Sequence, residues 1–144
     1  MQGQRFFEEL RHRAARLKRT RVVFPGYVSG ERKRAFFALA DLYVMPSVSE
    51  PFGIAPLEAM SHDVPVIISK QSGVSEVLTH ALKVDFWDIN EMANKIIAVL
   101  RHPPLARTLQ QHGSFEVQRM SWQDAARSCV GVYQQALGAM NGRG

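Results

Sequence analysis

Four short apolar runs, each closed by turn residues or a change of polarity, constrain this chain more than any other feature. Val22, Val23 and Phe24 precede Pro25-Gly26, and Leu42, Tyr43, Val44 and Met45 precede Pro46-Ser47. Residues 64–68 are interrupted only by Pro65, and a weaker run covers residues 82–86. Continuous runs, rather than alternation, describe strands covered on both faces, and the segments between them are long enough for helices. The expected class is therefore α/β with a parallel sheet. At 144 residues the chain can bury one core and has no room for a second, so one domain over residues 1–144 is expected.

Helix signals agree. Residues 5–18 space Phe6, Leu10, Ala14 and Leu17 along one side, with Arg11, Arg13 and Lys18 on the others. Asp88 with Glu91, and Ser121 with Asp124, form capping pairs before helical stretches over residues 92–100 and 125–137. Pro103-Pro104 and His112-Gly113 read as stops, and residues 138–144 as a Gly-bearing tail. The domain then comprises a basic helix (5–18), a core (21–120), a final helix (121–137) and the tail.

The net charge of +5 is uneven, because residues 1–34 hold ten Lys/Arg against three Asp/Glu. A solvated helix face explains this most simply; an anionic membrane surface is the alternative, and no nucleic-acid motif accompanies the charge. The lone Cys129 cannot form an internal disulfide, and no apolar run approaches the roughly 20 residues of a membrane span, so a cytoplasmic setting is expected.

Chemistry concentrates in residues 47–60 (SVSEPFGIAPLEAM), which leave a strand and run through Gly53 into a helix. Loops at the carboxyl ends of parallel strands are where such folds bind ligands. A helix starting near Gly53 would direct the amides of Phe52, Gly53 and Ile54 outward, and Pro56 falls in the first turn, where its missing N–H costs little. Glu50 and Glu58 flank this start. Each carboxylate can accept two hydroxyl donors, as vicinal sugar or ribose hydroxyls provide, so the pair suggests a nucleotide sugar; two solvated glutamates are the plainer alternative.

The run Glu50-Pro51-Phe52-Gly53-Ile54-Ala55-Pro56-Leu57-Glu58-Ala59-Met60 closely resembles the E-x7-E motif of the group 1 retaining glycosyltransferases, the glycogen-synthase-like and sucrose-synthase-like enzymes of the GT-B fold. VVFPGYV, ADLYVMPS, PVIISKQSGVSEVL and SWQDAA extend the likeness over residues 21–137. The resemblance implies a Rossmann-like, donor-binding C-terminal half that transfers a hexose from a UDP-, ADP- or GDP-sugar to an acceptor hydroxyl with retention. Glu50 would be the catalytic residue, contacting the donor sugar's hydroxyls, and Glu58 would bind the ribose. The amides around Phe52, Gly53 and Ile54 would meet the diphosphate or sugar, with the loop Ser72-Gly73-Val74 nearby and Tyr27-Val28 near the base. For that loop and Tyr27 a structural turn role is equally open. The nucleotide sugar is the substrate, and neither metal nor cofactor is implied. The chain has no Asp-x-Asp, its histidines are scattered, and Asp85 and Asp88 read as turn and cap.

The family's Gly-Arg turn and Lys-Gly, whose cations neutralise the leaving diphosphate, have no counterpart here, and neither do the domain's first two strands or the N-terminal acceptor domain. In the family's sheet order, 3-2-1-4-5-6, those strands separate the one ending near Phe24 from the one ending near Met45. The chain is therefore expected to re-pair these two directly or to borrow an edge from the missing half or another copy, forming a dimer or larger oligomer. Donor affinity would be weak and turnover absent without a partner; the alternative function is a non-catalytic binding or assembly module needing a partner chain. Asp63 stands where the family usually has Gly, a turn position whose left-handed backbone Asp tolerates.

Overall fold

The computed structural model describes residues 2–141, in two compact units that meet between Lys33 and Arg34. The first contains α1 (Gln2–Ala15) and the segment leading to α2 (Gly30–Ala38), which crosses the boundary. The second contains β1 (Tyr43–Met45), α3 (Ile54–Met60), β2 (Val66–Ser69), α4 (Val74–Val77) and β3 (Leu82–Val84). It continues with α5 (Ile89–Arg101), α6 (Pro103–Gln118) and α7 (Trp122–Asn141).

In the first unit, α1 begins before the expected helix and ends at Ala15, where Arg16 N–H and Leu17 N–H bond back to the carbonyls of Arg13 and Ala14. Val22, Val23 and Phe24 do not form the expected strand. A strand requires a neighbour for its N–H and C=O groups, and among the described residues none pairs with this segment. Phe24 instead stacks edge-on against Phe7 of α1, with ring centroids 5.3 Å apart. The segment is therefore held by side-chain contact, and the expected re-pairing with the Met45 strand does not occur.

The second unit is built on a parallel sheet in the order β1-β2-β3, with Tyr43, Val44 and Met45 opposite Val66, Ile67 and Ile68, and Ile67, Ile68 and Ser69 opposite Leu82, Lys83 and Val84. The α/β parallel class stands, with three strands among the described residues. All four residues of β2 are buried, as its unbroken apolar run requires. Val66 and Ile68 pack into a core with Met45, Ala59, Met60, Val74 and Leu78. Strand alternation sends Ile67 to the opposite face, where α5 packs on β2 and β3.

Asp88 caps α5 as expected, its Oδ1 accepting the Glu91 N–H at 2.8 Å. Ser121 Oγ accepts the Asp124 N–H at 3.1 Å at the start of α7. Pro103-Pro104 separates α5 from α6 and also opens α6, since prolines suit a helix's first turn. His112-Gly113 does not end a helix: α6 runs through it. Gly113 is buried against α3, and a Cβ there would lie 2.8 Å from Met60 Cε, so its glycine permits close helix contact. Residues 138–141, expected as tail, continue α7, and the rest of that tail lies outside the described residues. Asp63 adopts φ 58°, the left-handed turn expected of it. Among the described residues no helix is long and apolar enough to cross a membrane.

Glu116 of α6 ties down the loop after α4, accepting the N–H groups of Thr79 and His80 at 2.7 and 2.9 Å and the His80 ring at 3.1 Å. Burial would raise its carboxyl, but the bonds from His80 and Thr79 outweigh it and hold the group below the ordinary glutamate value of 4.5. A depressed folded-state value stabilises the fold above pH 4.5, and that contribution is lost as pH falls through the folded value. Glu116→Ala is expected to cost about 1–3 kcal/mol in urea unfolding at neutral pH. Glu116→Gln should flatten the acid limb of the stability curve, and an unchanged limb would remove this role from Glu116.

Candidate functional site

The carboxyl ends of the three strands carry three loops, joined by hydrogen bonds. After β1 the chain turns at Pro46 and passes Glu50, Pro51 and Phe52 before reaching Gly53. Gly53 sits at φ 92°, ψ 84°, a conformation glycine adopts without a side-chain clash, and this reverses the chain into α3. Its Cα packs closely on the β1 end, because a Cβ there would come within 3.0 Å of Met45 Cε. Pro56, in the first turn of α3, is buried as the sequence led us to expect.

The loop after β2 lies directly against this segment. Glu50 and Ser72 form a parallel bridge, the Gly73 N–H donates to the Glu50 carbonyl at 2.9 Å, and the Val74 N–H donates to the Phe52 carbonyl at 2.7 Å. The contact is backbone on backbone: a Cβ on Gly73 would lie 2.0 Å from the Pro51 carbonyl oxygen. Gly73 is thus required by close approach, since its own backbone is ordinary helical, at φ −59°. Ser72 is buried and its hydroxyl donates to the Ser69 carbonyl at 2.7 Å.

A polar network continues to the loop after β3. Ser69 Oγ donates to Gln71 Oε1 at 2.8 Å, Gln71 Nε2 donates to Asp85 Oδ1 at 2.9 Å, and Lys70 Nζ meets Asp85 Oδ2 at 2.8 Å. The Lys70 hydrogen bond, followed by that of Gln71, holds Asp85 below the usual carboxylate range, and the same bond raises Lys70. Asp85 also takes the Asp88 N–H on its backbone carbonyl, so Asp85 and Asp88 serve as turn and cap.

Of the expected site residues, Glu50, Phe52, Gly53, Ile54, Ser72, Gly73 and Val74 thus fall in one pair of interlocked loops. Glu58 lies a turn further along α3, half-buried, on the wall of an open groove of about 620 Å³ that Phe52, Ile54, Val77, Met120 and Trp122 also line. Tyr27 belongs to the first unit, where it is exposed and follows a Gly26 turn at φ 71°. Sequence reasoning missed Met120 and Trp122, which reach the groove from the α6–α7 junction, and missed the Ser69–Gln71–Asp85 network. Neither carries a local signal, because both depend on contacts between distant segments.

The chain matches the family model of the group 1 glycosyl transferases over residues 2–114. It is 32% identical to an uncharacterized glycosyltransferase of Methanocaldococcus jannaschii over 127 residues, 85% of this chain and 32% of that protein. It is 28% identical to the mannosylfructose-phosphate synthase of Agrobacterium fabrum over 127 residues, 85% of this chain and 26% of that protein. Its fold superposes on sucrose-phosphate synthase from Thermosynechococcus elongatus with a TM-score of 0.76 at 32% identity, covering 95% of this chain and 35% of that one. Anabaena HepE in complex with UDP-glucose shares the fold at a TM-score of 0.72 and 24% identity, covering 96% of this chain and 37% of that one. The chain therefore spans between 26% and 37% of the length of these relatives.

Proposed function

Because this chain belongs to the group 1 glycosyl transferases, with residues 2–114 matched to the family, we propose that it forms the donor-binding portion of a cytoplasmic, retaining enzyme that moves a hexose from a nucleotide-diphosphate sugar to an acceptor hydroxyl. The observation that carries this is the pair Glu50 and Glu58 on the loop and helix at the carboxyl end of β1, the side of a parallel sheet where ligands bind. In this reading Glu58 accepts the ribose hydroxyls and Glu50, the catalytic residue, accepts those of the sugar. The amides of Phe52, Gly53 and Ile54 face the diphosphate. The Ser72-Gly73-Val74 loop acts mainly by holding the Glu50 loop in place, since the amides of Gly73 and Val74 are already bonded to it. The nucleotide sugar is the substrate, and no resident cofactor is invoked.

A second reading, a binding or assembly module completed by the missing half or by another copy, draws on the edge of the sheet. Tyr43 N–H bonds the Pro65 carbonyl, so the N–H and C=O of Val44 point away from β2, toward a side that no described strand occupies. A strand supplied there would lie beside the Glu50 loop and bring further groups to the donor.

Ligand-observed NMR of the chain with UDP-glucose, ADP-glucose and GDP-mannose tests both. Saturation transfer to one nucleotide sugar, reduced at least about tenfold in Glu58→Ala, is the expected result for a donor half-site. Binding that survives the substitution would remove Glu58 from the site. No transfer to any donor would favour the module that requires a partner.

A further inference from the structure

We propose that Asp85 is a positioning residue for Glu50, acting from the loop after β3, through residues 69–75, on the loop after β1; its bearing on sugar transfer rests on the donor-site reading above. The Asp85 carboxylate grips two consecutive residues of the middle segment, Lys70 through Oδ2 at 2.8 Å and Gln71 through Oδ1 at 2.9 Å. The other end of that segment grips the Glu50 loop. There Ser72 bridges Glu50, and the N–H groups of Gly73 and Val74 donate to the Glu50 and Phe52 carbonyls at 2.9 and 2.7 Å.

The segment carries the restraint from one end to the other because it is locked internally. Ser69, Ser72 and Ser75 are buried, and each hydroxyl is bonded within the segment. Ser69 Oγ donates to Gln71 Oε1 at 2.8 Å and accepts the Gln71 N–H at 3.0 Å, Ser72 Oγ donates to the Ser69 carbonyl at 2.7 Å, and Ser75 Oγ donates to the Lys70 carbonyl at 2.8 Å. Buried hydroxyls hold such bonds firmly, since no water stands ready to replace the partner. Residues 69–75 therefore move as one piece, and the anchorage of the first residues sets the placement of the last. Gln71 is the firmer half of the grip. Its Nε2 donates to Asp85 while its Oε1 accepts Ser69 Oγ and, at 3.4 Å, the Phe86 N–H, so both ends of a planar amide are fixed. The Lys70 pair contributes less, because 48% of the lysine side chain is open to water.

Amide hydrogen exchange of the ligand-free 144-residue chain, read by NMR, tests this without any donor. Asp85→Ala should speed exchange at the Gly73 and Val74 amides at least about tenfold relative to the amides of β2, with the thermal midpoint lowered by no more than about 4 °C. Asp85→Asn keeps an oxygen for Gln71 Nε2 and should restore most of the protection. Gln71→Leu removes the same bond from the other side and should reproduce the alanine result, which keeps the test available if Asp85→Ala fails to fold. Affinity for UDP-glucose, ADP-glucose or GDP-mannose, whichever the unaltered chain binds, should fall in parallel with the lost protection. Unchanged exchange at Gly73 and Val74 would overturn the proposal, as would a rise shared equally by the β2 amides, which a merely structural role produces. Faster exchange with undiminished affinity would also overturn it. Selective loss of protection in a chain that binds none of the three sugars would instead sustain the hold on the Glu50 loop and remove the donor-site reading.

Discussion

Replacing Gly73 with alanine is expected to destabilise the chain by about 2–4 kcal/mol and to abolish any nucleotide-sugar binding it has. The added methyl would sit 2.0 Å from the Pro51 carbonyl oxygen and 2.9 Å from its carbon, and both atoms are backbone. No rotamer can relieve that overlap, so the two loops must part. Parting breaks the bonds from Gly73 and Val74 to the Glu50 and Phe52 carbonyls, and with them the placement of Glu50. At roughly 2–4 °C per kcal/mol for a chain of this size, the midpoint of thermal unfolding should fall by about 10 °C. A variant with wild-type stability and wild-type binding would show that the loops are not held as described.

Ile68→Ala is expected to cost about 3–4 kcal/mol. The side chain is fully buried in the central strand, facing the cluster that contains Ala59, Met60, Val74 and Leu78, so the cavity left behind is closed in by both neighbouring strands and by α3. Because Ser69 follows it directly and begins the polar network of the next loop, donor binding should weaken together with stability. Val22→Ala supplies the contrast. Val22 is 43% exposed and belongs to no strand, so its truncation should change stability by less than about 1 kcal/mol. Chemical denaturation of both variants checks the pair, and similar losses would mean that residues 22–24 are held in a sheet after all.

Much of the fold was legible because its signals are local. The apolar runs ending near Met45 and Ile68 announced β1 and β2, and the Asp88 and Ser121 caps announced α5 and α7, each of which starts three residues before the stretch expected of it. Residues 22–24 carried the same apolar signal and formed no strand, since a ladder also needs a partner that no single segment encodes. Gly113 misled for a related reason. A glycine that ends a helix and one that admits a neighbouring helix look alike in sequence, and only Met60 distinguishes them. At the site, the Glu50–Glu58 spacing and the Gly53 turn were readable one residue at a time. The bond between the Glu50 and Gly73 loops was not, because it joins main-chain atoms that every residue possesses.

The contact between Gly113 and Met60 also limits which substitutions this chain can accumulate in succession. A side chain added at 113 meets Met60 Cε, the free end of a flexible side chain that can turn aside, and alanine suits the interior of α6 better than glycine does, so Gly113→Ala is the easier first step. Shortening Met60 first instead leaves a void beside Gly113 that nothing yet fills. The order of change therefore matters, and a lineage reaches the swapped pair with least loss by altering 113 before 60.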